Sequence, residues 1–245
     1  MGFLQQLTFV QTIYSKNIKN NFLTLVKHQF MFKTKKDLIF VILAGIFITN
    51  AVVAELIGGK LIQIGPFVMS IGILPWPIVF ITTDLINEYF GEKGVRRLSF
   101  ITACLIAYTF AVLLFAIAIP AAKGISPVND SQFQAVFGQS MWIIVGSIIA
   151  FLVSQLIDVS VFWYFKKKTG DKKIWLRTTG STVISQLFDS FIVLGIAFWL
   201  PGKINFETFI TSALIGYTFK LIIAIALTPI IYLGHDVIKK HISED

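Results

Sequence analysis

Six apolar windows divide the chain, each close to the roughly 20 residues that cross about 30 Å of hydrocarbon. They run Leu38–Ile57, Phe67–Phe90, Leu98–Ile119, Met141–Phe165, Thr179–Leu200 and Phe209–Leu233. The connections between them alternate in charge. Lys16, Lys19, Lys27, Lys33, Lys35 and Lys36 precede the first window, Lys93, Arg96 and Arg97 follow the second, Lys166, Lys167, Lys168, Lys172, Lys173 and Arg177 follow the fourth, and Lys239 and Lys240 follow the sixth. The other three connections hold only Lys60, Lys123 and Lys203. This alternation predicts an all-α integral membrane protein, a bundle of six transmembrane helices with both termini cytoplasmic.

Punctuation refines the windows. Gly65, Pro66, Gly72, Pro75 and Pro77 predict a bent or broken segment before Trp76, which either lines a cavity or is an external loop entering the membrane at Pro75. The stretch Gly124–Gln139 reads as a polar outside loop with a short amphipathic piece. Three regions follow: residues 1–36, a basic cytoplasmic or interfacial segment without the apolar core of a signal peptide; residues 37–235, the transmembrane domain; and residues 236–245, a short cytoplasmic tail.

Composition narrows the class. Of the 245 residues 56% are hydrophobic and 14% charged, against about a quarter charged in soluble domains. The net charge of +8 lies in clusters between apolar windows rather than along one face, so a nucleic-acid partner is not expected. Cys104 is the sole cysteine, and His28, His235 and His241 all fall outside the windows, which leaves no disulfide and no metal site or other cofactor to expect. The windows hold no Ser/His pair, histidine metal site or Gly-x-Gly-Asp, so an intramembrane protease is not expected either.

Ionisable residues inside the windows are the candidate chemistry. Asp84, Glu88, Asp158, Asp189 and Lys220 lie there, with Glu55 near the end of the first window. Each is costly in lipid and should face the bundle interior and find a partner. At 1.5 Å per residue, Asp84 lies ~13 Å from Lys93, Asp158 ~12 Å from Lys166, and Asp189 ~18 Å from Arg177. Three carboxylates are thereby expected at similar depth, with Asn87 and Glu88 one turn nearer the cytoplasm at the exit of the same cavity. Small residues recur every four positions beside these charges: Gly146, Ala150, Ser154 and Asp158; Ser181, Ser185 and Asp189; Gly216, Lys220, Ala224 and Thr228. Such stripes let backbones approach closely, within the bundle or across a homodimer. VSQLIDVSVF and ISQLFDSFIV both carry Ser-Gln-Leu-x-Asp and place Gln155 with Asp158, and Gln186 with Asp189, on neighbouring antiparallel helices. Any one of these residues is also explained by a structural ion pair.

Carboxylates and carboxamides with one lysine suit a neutral or cationic small molecule rich in hydrogen-bond donors. A carboxylate accepts two parallel bonds, as from a guanidinium or the amino edge of a guanine, and aromatic neighbours supply a stacking face.

Four segments carry a resemblance. PWPIVFITTDLINEYFGEKGVRR, SQLIDVSVFWYFKKKTG, SQLFDSFI and GYTFKLI, in this order, resemble the queuosine precursor transporter family of vitamin uptake transporter type. The resemblance implies a bacterial inner-membrane, multi-pass importer of 7-deazaguanine precursors (7-cyano-7-deazaguanine, 7-aminomethyl-7-deazaguanine or queuine) for tRNA queuosine salvage. It further implies a fold resembling the substrate-binding components of energy-coupling-factor importers. It points to Asp84, Gln155, Asp158, Asp189 and Lys220, with Asn50 added. With Trp76, Asn87, Glu88, Gln186 and Tyr217 these make the expected substrate-binding set. The alternative is a substrate-binding subunit of an ATP-driven importer. The first window, LIFVILAGIFITNAVVAELI, lacks the Ala-x-x-x-Ala that docks partners in such systems and favours a self-sufficient carrier.

Overall fold

Helix α1 (Lys35–Ile57) opens on a capping box. The Thr34 hydroxyl accepts from the Asp37 amide and the Asp37 carboxylate accepts from the Thr34 amide, both at 3.1 Å, so two otherwise unpaired donors are satisfied at once. The computed structural model of the chain describes residues 34–64, 67–170 and 173–242. The basic segment expected on the cytoplasmic surface therefore lies, through residue 33, outside the described residues.

The second apolar window does not begin as a helix. Strands β1 (Leu61–Ile64) and β2 (Phe67–Ser70) pair antiparallel, Leu61 opposite Ser70 and Ile64 opposite Phe67. A single 3-10 turn, Ile71–Ile73, then leads to Pro75, and the helix starts at Trp76. Hydropathy alone extends the window back to Phe67. Pro66 and Pro75 lack the amide hydrogen a helix interior needs, and the β-branched and aromatic residues between them suit a pleated pair. The hairpin seats on the end of α1: Ser70 donates to the Gly58 carbonyl at 2.7 Å and the Ile71 amide to the Lys60 carbonyl at 2.9 Å. A Cβ at Gly72 would stand 2.6 Å from the Ala54 carbonyl oxygen, so only glycine permits this approach.

Helix α2 (Trp76–Ala118) takes in most of the second and third predicted windows in one element of 43 residues. Straight, it would measure about 65 Å, twice the hydrocarbon thickness. It is interrupted at Gly91, whose φ of 80° and ψ of 170° belong to a region that essentially only glycine occupies. Among the described residues, five helical stretches are therefore long and apolar enough to cross a membrane, where hydropathy predicts six. The others are α1, α4 (Met141–Thr169) with the short α3 (Asp130–Phe137) before it, α5 (Ile174–Leu194) continued by a π-helical turn at Gly195–Trp199, and α6 (Phe206–Ile242), which contains Pro229. Helix α3 is the amphipathic piece of the Gly124–Gln139 connection, opened by a second capping box from Asn129 and Gln132.

The packing order is α1 on α2, α2 on α4 and α6, α4 on α5, and α5 on α6. The polarity of a soluble protein is inverted. Large apolar side chains such as Ile42, Phe100, Ile101, Phe115, Ile222 and Ile225 point outward, as expected where lipid replaces water. Phe47, Val79, Ile86, Phe151 and Val159 form an apolar core between α1, α2 and α4. The buried face of α5 is wholly polar: Arg177, Thr178, Ser181, Thr182, Ser185, Gln186, Asp189 and Ser190. One side of the bundle interior is thus greasy and the other hydrophilic.

The Gly91 backbone yields a paired prediction. Gly91→Ala should lower stability by about 1–3 kcal/mol. Gly94→Ala, inside regular helix with only the Phe90 Cβ near the added methyl at 3.6 Å, should leave stability unchanged or raise it by up to about 1 kcal/mol. Thermal unfolding of the two detergent-purified variants checks both, and equal melting points would count against a strained break.

Candidate functional site

The two Ser-Gln-Leu-x-Asp motifs meet across the α4–α5 contact, and each serine serves the other motif's aspartate. Ser185 donates to Asp158 at 3.2 Å and Ser154 to Asp189 at a longer 3.4 Å. Because serine and aspartate are four apart on one face and the helices run antiparallel, the two bonds form a local two-fold exchange. The stripe on α4 makes this possible. A Cβ at Gly146 would already stand 3.2 Å from the Ala197 nitrogen, and Ala150 and Ser154 are buried. Asp158 also faces the hydroxyls of Ser181 and Thr182, so hydroxyl donors surround its carboxylate.

Lys220 reaches from α6 to Asp189 in a short ion pair. Thr228, two turns further along α6, shares a hydrogen bond of 2.8 Å with Thr179 of α5. The α6 stripe is therefore used at Lys220, Ala224 and Thr228, while Gly216 faces open space and is not a packing position. Glu55 joins from α1: its carboxyl reaches the Ser147 hydroxyl and lies within electrostatic range of Asp189 and Lys220.

A second ion group lies nearer the basic end of the bundle. Glu88 of α2 pairs with Arg177 of α5 at 2.9 Å and with Lys166 of α4 at 3.2 Å. Arg177 is fully buried and also donates to the Gly170 carbonyl at 2.8 Å, satisfying the last turn of α4. The expected role for Glu88 at an open exit therefore meets a carboxylate already shared by two cations.

Between these groups lies a set without partners. Both Asp84 oxygens, both polar atoms of the Asn87 amide and the Gln155 carbonyl oxygen are buried and accept or donate nothing. Asp84 is 2% exposed, Asn87 0% and Gln155 4%. Asp84 lies in the field of Asp158 and Glu88, opposed by Arg177. Bare polar atoms at this depth are costly, and a ligand with complementary donors would offset the cost.

The structure brings Asp84, Asn87, Glu88, Gln155, Asp158, Gln186, Asp189 and Lys220 into the buried polar region of the bundle. Three further expected residues have these surroundings. Asn50 donates to the Ile46 carbonyl of its own helix at 2.8 Å. Trp76 stacks on Phe80, ring centroids 5.9 Å apart, and tilts against Phe151 at 6.0 Å. Tyr217 is half-buried on α6, one turn before Lys220.

Residues 70–234 match the family model described as "Putative vitamin uptake transporter". The chain belongs to this family. Among its curated relatives, the "Probable queuosine precursor transporter" of Bacillus subtilis (strain 168) is 32% identical over 170 residues, 66% of this chain and 72% of the relative. The "Queuosine precursor transporter" of Escherichia coli (strain K12) is 29% identical over 158 residues, 63% of this chain and 66% of the relative. No solved structure matches the chain.

In this member of the vitamin uptake transporter family, Arg177 and Lys166 join the buried polar region although reading for isolated intramembrane charge passes over them, whereas Glu55 stood out at the end of the first window. Arg177 and Lys166 stand among lysines that mark a basic connection, and nothing in their spacing tells a buried cation from a solvated one. Ser154 and Ser185 were legible as small-residue positions, and their i, i+4 relation to the aspartates was the available signal.

The Glu88 group predicts non-additive energetics. Glu88→Gln leaves a fully buried guanidinium without its counter-charge and should cost about 3–5 kcal/mol. The double variant Glu88→Gln with Arg177→Met should recover most of that loss. Thermal unfolding in detergent measures both; a double variant no more stable than the single would remove the ion pair as the cause.

Proposed function

We propose that the chain imports 7-deazaguanine queuosine precursors (7-cyano-7-deazaguanine, 7-aminomethyl-7-deazaguanine or queuine) across a bacterial inner membrane for salvage into tRNA. The observation that carries the reading is the buried, partly unpartnered polar set between α2, α4, α5 and α6, bracketed by ion pairs inside an otherwise apolar bundle. The names of the relatives support the substrate class. In this reading the two halves of α2 on either side of Gly91 cross the membrane separately, making six crossings, and the lysine-rich connections and both termini face the cytoplasm. The substrate binds among Asp84, Asn87, Gln155, Asp158, Gln186, Asp189 and Lys220, and the chain acts as a self-sufficient carrier.

Uptake decides the matter. Cells unable to synthesise the precursor should accumulate labelled 7-cyano-7-deazaguanine when they express this chain and fail to do so without it; equal uptake in the two strains would refute the proposal. Asp189→Asn frees Lys220 from its counter-charge and should reduce uptake more than tenfold while membrane insertion is retained. Full uptake by that variant would leave Asp189 a packing role only.

A further inference from the structure

The charged groups of the interior divide into those already answered and those not. Asp189 is held by Lys220 and Ser154, Asp158 by hydroxyls of α5, and Glu88 by Arg177 and Lys166. Beside single atoms of Glu88, Trp163, Arg177 and Ser190, the buried side-chain atoms without a hydrogen bond among the described residues belong to Asp84, Asn87 and Gln155, on the facing helices α2 and α4. Their free atoms are acceptors at Asp84 Oδ1 and Oδ2, Asn87 Oδ1 and Gln155 Oε1, with a donor at Asn87 Nδ2. That inventory fits a ligand edge with clustered N–H donors next to one acceptor.

We propose that Asp84 and Asn87 read one edge of the substrate ring, Asp84 its adjacent ring N–H and exocyclic amine, Asn87 Nδ2 the ring carbonyl beside them. This rests on the transport reading of the same site. Asp84 and Asn87 are three apart on one helix face and so about 4.5 Å apart along its axis, comparable to the width of a six-membered ring edge. The order along the helix, carboxylate then amide, matches the order amine, ring N–H, carbonyl along a 2-aminopyrimidinone. Gln155, opposite on α4, offers a further acceptor toward the amine. Two parallel bonds to a carboxylate are charge-assisted and geometrically selective. A ligand without the amine leaves one buried carboxylate oxygen unpaired, which a site of this kind penalises heavily. Asp189 and Lys220 then flank the bound ring as a positioning pair that fixes α5 against α6.

The test uses the full chain purified in detergent, with labelled 7-cyano-7-deazaguanine and its analogue lacking the 2-amino group as competitor. Wild type should bind the analogue about 100-fold more weakly. Asp84→Asn, nearly isosteric, should weaken binding of the amino ligand about 100-fold and bring the ratio between the two ligands below about 5. Asn87→Leu should weaken both ligands by a similar factor of about 10 and leave the ratio unchanged, because both retain the carbonyl. A ratio unchanged in Asp84→Asn, or wild-type binding that ignores the amine, overturns the assignment of the edge while the transport reading stands. The second comparison needs no variant to fold. Wild type that binds neither ligand overturns both.

Discussion

Lipid offers no hydrogen bonds, so a polar side chain carried into the bilayer must be answered from within the protein. Helix α5 is where this constraint bears hardest, because every buried position on it is polar. Thr178, Ser181 and Ser185 donate to carbonyls of their own helix, Ser185 also reaches Asp158 of α4, Arg177 is paired by Glu88, and Asp189 by Lys220. The contacts of α5 with α4 and α6 therefore include the Ser185–Asp158 bond, the Thr179–Thr228 bond and the Lys220–Asp189 pair. On the opposite side, α1 and α2 meet α4 through Phe47, Val79 and Phe151, where complementary shape suffices.

The ion pairs and the unpartnered atoms have different consequences. A buried pair adds little net stability over well-packed apolar residues, yet losing one member is severe, so such pairs enforce a single arrangement. The Glu88 group joins α2, α4 and α5 near the basic end, and the Lys220–Asp189 pair joins α5 to α6 deeper in the bundle. The Asp84 oxygens, the Asn87 amide and the Gln155 carbonyl oxygen are buried without a hydrogen bond to each other or to the scaffold. Polar atoms that bond to nothing else in the protein would offer a ligand no competing protein bond.

The polar interior was readable from the chain because a charge in a long apolar run has few explanations. Asp84, Asp158, Asp189 and Lys220 stand out on that ground alone, and the repeated Ser-Gln-Leu-x-Asp announces that α4 and α5 face one another. The prolines and glycines before Trp76 marked a broken segment, but its pairing as the β1–β2 hairpin was not readable, because hydropathy does not tell strand from helix and Phe67–Ser70 is as apolar as the helix that follows. The joining of two windows into α2 escaped for a related reason. Glu92, Lys93, Arg96 and Arg97 mark a connection by charge, yet they are good helix formers and continue the helix past Gly91. Arg177 escaped because burial depends on what the neighbouring helix supplies, here the Glu88 carboxylate, and that pairing joins positions 89 residues apart.

The crossed bonds between Ser154 and Asp189 and between Ser185 and Asp158 tie the register of α4 to that of α5. Neither motif satisfies itself, so a substitution in one is felt by the acid in the other. Loss of either serine withdraws a donor from a carboxylate on the neighbouring helix, and sliding the helices by one turn breaks both bonds together. The two motifs are thus coupled, and a change in the register of one helix reaches the carboxylate of the other.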